Sequence, residues 1–83
     1  MFYVYILKSL KNNDIYVGST SDFRNRLNLH NRGKVKSTKA NRPWQLLEHY
    51  EFESRSEAFR QEMFYKSGQQ KESLRKKYGA VAK

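Results

Sequence analysis

Five side chains in this chain combine types and positions that could act on a charged substrate: the phenols of Tyr5 and Tyr16, the guanidinium of Arg26, the imidazole of His30 and the carboxylate of Glu62. A planar, permanently charged guanidinium suits an oxyanion, and a carboxylate suits a cation. Phenols and imidazoles can hold or pass a proton. The chemistry requires that the fold bring them together. Residues 2 to 8 alternate as a strand does, sending Phe2, Val4 and Ile6 to one face and Tyr3, Tyr5 and Leu7 to the other. "KNND" reads as a turn, and Ile15 to Ser19 as the second strand of a hairpin. With an even number of residues in the loop, pairing parity places Tyr5 and Tyr16 on the same face. Both phenols then look into one site.

The remaining candidates sit on helices. "TSDFRNRLNLHNRG" has Ser21 or Asp22 as its N-cap and Gly33 as its stop, and Arg26 and His30 fall on one stripe with Phe23 and Leu27. Ser54 to Glu57, "SRSE", matches a capping box and opens a second helix to about Ser67, closed by Gly68. Positions 58, 59, 62, 63 and 66 of that helix form one face, so Glu62 lies among Ala58, Phe59 and Met63. An unpaired carboxylate on a packed face costs several kcal/mol, so Glu62 needs a cation, a metal or water. Arg26 and Lys66 at i+4 are both open as partners. Between the helices "WQLLEHYEF" reads as a third strand, and "QKESLRKKYG" as a last, basic helix anchored by Leu74 and Tyr78. The order ββαβαα predicts an α+β fold, a small three-stranded antiparallel sheet covered by helices. One domain is expected over residues 1–83, with a basic C-terminal end from about residue 76.

Composition narrows the partners. The chain carries 17 Lys and Arg against 8 Asp and Glu, a net charge of +9 over 83 residues, which points to a polyanion and most directly to nucleic acid. The absence of cysteine disfavours a disulfide-stapled secreted fold. The apolar start lacks a basic leading region and is interrupted at Lys8, unlike a signal peptide, and no segment approaches the roughly 20 apolar residues of a membrane span. A cytoplasmic location without membrane attachment follows as the expectation.

In order and spacing, "YVY" (Tyr3 to Tyr5), "YVG" (Tyr16 to Gly18), "DFRNRL" with Arg26, and "EAFRQE" with Glu62 together resemble the GIY-YIG nuclease family, over about residues 2 to 75. The likeness is to its small free-standing members. Tyr3 and Val4 replace the glycine and isoleucine of the first motif, and Val17 the isoleucine of the second. These changes keep strand character and the final tyrosine. No counterpart of the additional polar residue, often asparagine, near the C-terminal side of larger members is identified. The resemblance implies a phosphodiester hydrolase using a single divalent ion, Mg²⁺ or Mn²⁺. It implies that Tyr5 and Tyr16 lie over the scissile phosphate, Arg26 contacts its oxygens and Glu62 holds the metal. His30 falls at a position where some members carry a histidine assisting proton transfer or phosphate contact.

The residue chemistry agrees with this. Hydrolysis builds negative charge on phosphoryl oxygens, which a guanidinium and a metal ion both stabilise. Mg²⁺ keeps several waters and needs only one or two carboxylates, so a lone Glu62 suffices. A phenol with a pKa near 10 is only about one part in a thousand ionised at pH 7, so a tyrosine base needs cationic neighbours or a metal-bound water. Tyr5 is expected to relay the proton of the attacking water and Tyr16 to position the water or the phosphate. Tyr3 and His49 are read as structural, and Gly18 as a close backbone approach to the phosphate or the next helix, or a turn. Beyond the site, Arg24, Lys34, Lys36, Lys39 and Arg42, interleaved with Ser37, Thr38 and Asn41, suit a phosphate backbone without reading bases. The expectation is a metal-dependent DNA endonuclease of repair or recombination, with DNA ahead of RNA. It is expected to be monomeric, with a protein partner as one source of specificity. The alternative is a catalytically weak or inactive nucleic-acid-binding module.

Overall fold

A computed structural model describes residues 1–78; the end of the basic C-terminal segment, beyond Tyr78, lies outside the described residues. Three antiparallel strands, β1 (Phe2–Ser9), β2 (Ile15–Thr20) and β3 (Trp44–Phe52), form one sheet in the order β2-β1-β3. The helices are α1 (Phe23–Asn31), α2 (Arg55–Lys66) and α3 (Gly68–Tyr78), with a short 3₁₀ turn at Lys39–Asn41. The expected order ββαβαα and the α+β sheet covered by helices are what the chain adopts.

The alternation in β1 divides the interior in two. Val4 and Ile6 pack with Ile15, Val17, Ala58 and Leu74 beneath α2 and α3, with Tyr65 and Tyr78 at the margin. Tyr5 and Leu7 point the opposite way, against Trp44, Tyr16, Phe23 and Leu27 beneath α1. Both faces of β1 are therefore covered, which is why its run Val4–Leu7 is apolar without a polar alternate. Pairing of Lys8 with Ile15 leaves six residues, Ser9 to Asp14, for the hairpin loop. That even count sets Tyr5 opposite Gly18 and Leu7 opposite Tyr16, so both phenols share the α1 face. The loop is held by Ser9, whose hydroxyl accepts from the amides of Lys11 and Asn12.

Local chemistry sets the helix ends. Asp22, not Ser21, caps α1 by accepting from the Asn25 amide. Ser54 and Glu57 make both bonds of the capping box on α2. The end of α2 differs from expectation. Ser67 caps it in an extended conformation, and Gly68 becomes the first residue of α3, because a sharp bend at Ser67 turns the chain without a left-handed residue. At the other end of α1, Gly33 has φ +76°, the left-handed conformation that glycine adopts without penalty. Asn31 clasps Trp44, accepting from its amide at 2.5 Å and donating to its carbonyl at 3.0 Å, which ties α1 to the start of β3.

The face of α2 also differs from the stripe expected. Ala58 is buried, whereas Phe59 and Met63 are 54% and 44% exposed. At 3.6 residues per turn, positions 59, 63 and 66 lie about a quarter to two-fifths of a turn from the line through 58 and 65. Glu62 falls between these two lines, at the border of the core rather than inside it.

Candidate active site at the edge of β2

Tyr5 is buried on the central strand, 2% exposed. Its ring lies over Gly18 on β2: a Cβ at position 18 would stand 2.5 Å from the Tyr5 hydroxyl and 3.1 Å from the Tyr16 ring. Gly18 thus makes room for the phenol. Of the readings open to it, the strand-ending turn is corrected, because Gly18 sits inside β2 directly across from Tyr5.

The Tyr5 hydroxyl is 3.0 Å from Nε2 of His30, which is fully buried one helical turn beyond Arg26. On the other side of the ring, Nδ1 is 2.7 Å from the hydroxyl of Thr38. The Thr38 hydroxyl in turn lies 3.4 Å from the Val35 carbonyl, to which it donates, and the Trp44 indole donates to the Thr38 carbonyl at 3.0 Å. This sequence of donors assigns the tautomer: Nδ1–H donates to Thr38, and Nε2 accepts from Tyr5. Burial, assisted by the nearby Arg26 charge, lowers His30 from 6.5 to about 4, which keeps it neutral. Burial likewise pushes Tyr5 up to about 12, with Arg26 drawing it down and Tyr16 and Glu62 pushing it up. Three of the five candidates therefore act electrostatically on Tyr5, and a fourth is hydrogen-bonded to it.

Tyr16 is half-buried beside this pair, its ring centroid 5.1 Å from that of His30 and 6.3 Å from that of Tyr5. Among the described residues its hydroxyl has no hydrogen-bond partner in the protein. Glu62 reaches the site from the opposite face of the sheet. Ser19, which alternates with Gly18 along β2, donates its hydroxyl to one oxygen of Glu62 at 2.6 Å. Lys66 approaches the other oxygen to 2.8 Å. Of the two pairings open in the sequence, Glu62 takes Lys66. The Lys66 ammonium also lies 5.8 Å from the centroid of the Tyr16 ring, so a group from the α2 side meets one from the α1 side. Since β2 is an outer strand, the two half-sites join around its free edge.

The other expected contacts are distributed differently. Lys36, Lys39 and Arg42 line one cavity of about 640 Å³ together with Lys11. Lys11 was missed because it lies in the hairpin turn, far from that loop in sequence. Lys34 is exposed but outside this cavity, and Arg24 extends its guanidinium to 5.9 Å from the Phe23 ring. Thr38, grouped in the sequence with phosphate contacts, is instead fully buried and committed to His30. No local pattern marks a loop threonine for burial. Ser19 was likewise missed, since its role depends on α2 docking against β2. Tyr3 packs edge-on to Phe23 and donates to Glu51, and His49 stacks on Phe23 at 4.2 Å.

Among the described residues no group of three His, Cys, Asp or Glu side chains forms a metal cluster. The Glu62 carboxylate with the Ser19 hydroxyl is an all-oxygen donor pair, which suits a hard divalent ion that retains several waters. The donor set therefore fits Mg²⁺ or Mn²⁺, with Lys66 required to give up its place on Glu62.

A protein-family model described as "GIY-YIG catalytic domain" matches residues 1–78. A UPF0213 protein of Staphylococcus haemolyticus is 40% identical over 74 residues, 88% of this chain and 89% of the relative. A UPF0213 protein of Streptococcus agalactiae is 42% identical over 65 residues, 77% of this chain and 73% of the relative. The solution NMR structure of a UPF0213 protein from Bacillus halodurans is similar at TM-score 0.52 and 38% identity, covering 89% of this chain and 82% of that one.

Proposed function

The chain belongs to the GIY-YIG family of nucleases, and from that premise we propose that it is a divalent-metal-dependent endonuclease hydrolysing phosphodiester bonds of DNA, in the cytoplasm and in repair or recombination. The observation that carries the reading is the grouping of Tyr5, His30 and Tyr16 on the α1 side of the sheet and of Ser19, Glu62 and Lys66 on the α2 side, linked across β2 by Lys66 over the Tyr16 ring, with the Arg26 charge acting on both Tyr5 and His30.

Arg26 holds the non-bridging phosphate oxygens and, being unable to lose its proton, stabilises the charge that grows on them. Glu62 and Ser19 would hold the metal, which when bound supplies further charge compensation at the phosphoryl group. Tyr16, half-buried and with an uncommitted hydroxyl, orients the attacking water. Tyr5 relays the water's proton along its hydrogen bond to His30. A phenol raised to about 12 and an imidazole lowered to about 4 hold neither phenolate nor imidazolium at rest, so the shift of the proton is transient and coupled to bond cleavage. Lys36, Lys39, Arg42 and Lys11 supply phosphate contacts without base reading.

A second reading, a binding module with weak or absent turnover, draws on one observation: both oxygens of Glu62 are engaged by protein groups. A nicking assay on supercoiled and branched DNA with Mg²⁺, Mn²⁺ or chelator separates the two. Metal-dependent cleavage lost in both Glu62→Ala and Tyr5→Phe, with binding retained, is the result expected of the nuclease. Tight, salt-sensitive binding without cleavage by the parent protein would select the binding module.

A further inference from the structure

Next to the candidate site lies a cavity of about 250 Å³ whose lining includes Phe2, Ser19, Thr20, Ser21, Arg26 and Arg55. Three hydroxyl-bearing residues and two arginines line a common space. Neither Arg26 nor Arg55 has a carboxylate partner among the described residues. Asp22, the acid nearest Arg26 in sequence, is spent capping α1 through the Asn25 amide, and Glu57, two residues from Arg55, is engaged in the capping box with Ser54. Arg55 opens α2, and its guanidinium lies over the Phe2 ring at 5.3 Å, which restrains a side chain that would otherwise be free. Two arginines without a carboxylate partner make this space electropositive, which favours an anion seated in it. The Thr20 and Ser21 hydroxyls supply further donors to such an anion, the Ser19 proton being given to Glu62.

The cavity is continuous with the site at two residues. Ser19 donates to Glu62 and Arg26 charges the environment of Tyr5, yet both also line this space. An anion seated there is the neighbour of the group being attacked. In a nucleic-acid strand that neighbour is the adjacent phosphodiester. We infer that the Arg26–Arg55 cavity seats the phosphodiester next to the scissile one, with Arg55 as the positioning residue that sets the strand's register across Glu62. The inference rests on the nuclease reading for the identity of the strand, but its binding consequence is measurable without turnover.

The test compares Arg55→Gln and Arg55→Lys with Arg60→Gln, a change at an equally exposed arginine of α2 that faces a different cavity. Binding to a branched DNA is followed by anisotropy in EDTA across a salt series. Losing one phosphate contact should reduce the slope of log affinity against log salt by about 0.9 in Arg55→Gln, with recovery in Arg55→Lys and no change in Arg60→Gln. With metal present, a neutral methylphosphonate placed at each phosphate in turn should slow the parent about tenfold at one position beside the cut and leave Arg55→Gln insensitive there. Equal effects of Arg55→Gln and Arg60→Gln on the salt slope overturn the inference while leaving the nuclease reading intact. A parent protein that never cuts, but whose slope falls only in Arg55→Gln, overturns the nuclease reading and leaves the phosphate seat standing.

Discussion

The neutral state of His30 gives a pH dependence of stability that can be worked from the structure. His30 is fully buried between Tyr5 and Thr38 with Arg26 and Tyr16 beside it, and its pKa falls from 6.5 to about 4. The folded value is below the unfolded one, so the unfolded chain binds the proton first as pH drops. His30's contribution is thus fully present above about pH 6.5 and is lost progressively as pH falls towards 4. Between pH 7 and pH 5 the linkage amounts to about 2 kcal/mol, or roughly 8–16 °C in Tm for a domain of this size. Most carboxylates remain ionised over that interval. The assay is urea unfolding at both pH values for the parent and for His30→Gln, whose amide can keep both hydrogen bonds but cannot titrate. The parent should lose about 2 kcal/mol more than the variant. An imidazole that titrates near 6.5 by NMR, or equal losses in the two proteins, would refute the assignment of a neutral, Tyr5-accepting His30.

Gly18→Ala places a methyl group 2.5 Å from the Tyr5 hydroxyl and should cost about 1–3 kcal/mol in thermal unfolding; an unchanged Tm would show that the Tyr5 ring shifts freely. Tyr5→Phe strands Nε2 of His30 in the interior and should cost a similar 1–3 kcal/mol in urea unfolding at pH 7.5, whereas a neutral outcome would mean the bond is dispensable. Lys66→Met removes the ammonium 2.8 Å from Glu62 and should tighten Mn²⁺ binding, followed by electron paramagnetic resonance without DNA, by roughly fivefold. Weaker or unchanged Mn²⁺ binding would argue that Lys66 does not compete for that carboxylate.

Much of this arrangement is legible in the linear chain because it depends on short-range periodicity. The alternation of Phe2 to Leu7, the Ser54–Glu57 capping box and the stripe through Phe23, Leu27 and His30 are set by geometry over two to four residues. Loop parity then suffices to put Tyr5 and Tyr16 on one face. Other features depend on how elements far apart in sequence dock. The choice of Lys66 as Glu62's partner, the burial of Thr38 against His30 and the sharing of one cavity by Arg26 and Arg55 are of this kind. So is the exposure of Phe59 and Met63, since periodicity identifies a stripe but not how far across it the three-stranded sheet extends. Side-chain types and local spacing establish which groups are available; strand register and helix docking decide which of them meet, because those positions minimise the packing energy of the whole domain rather than of any one segment.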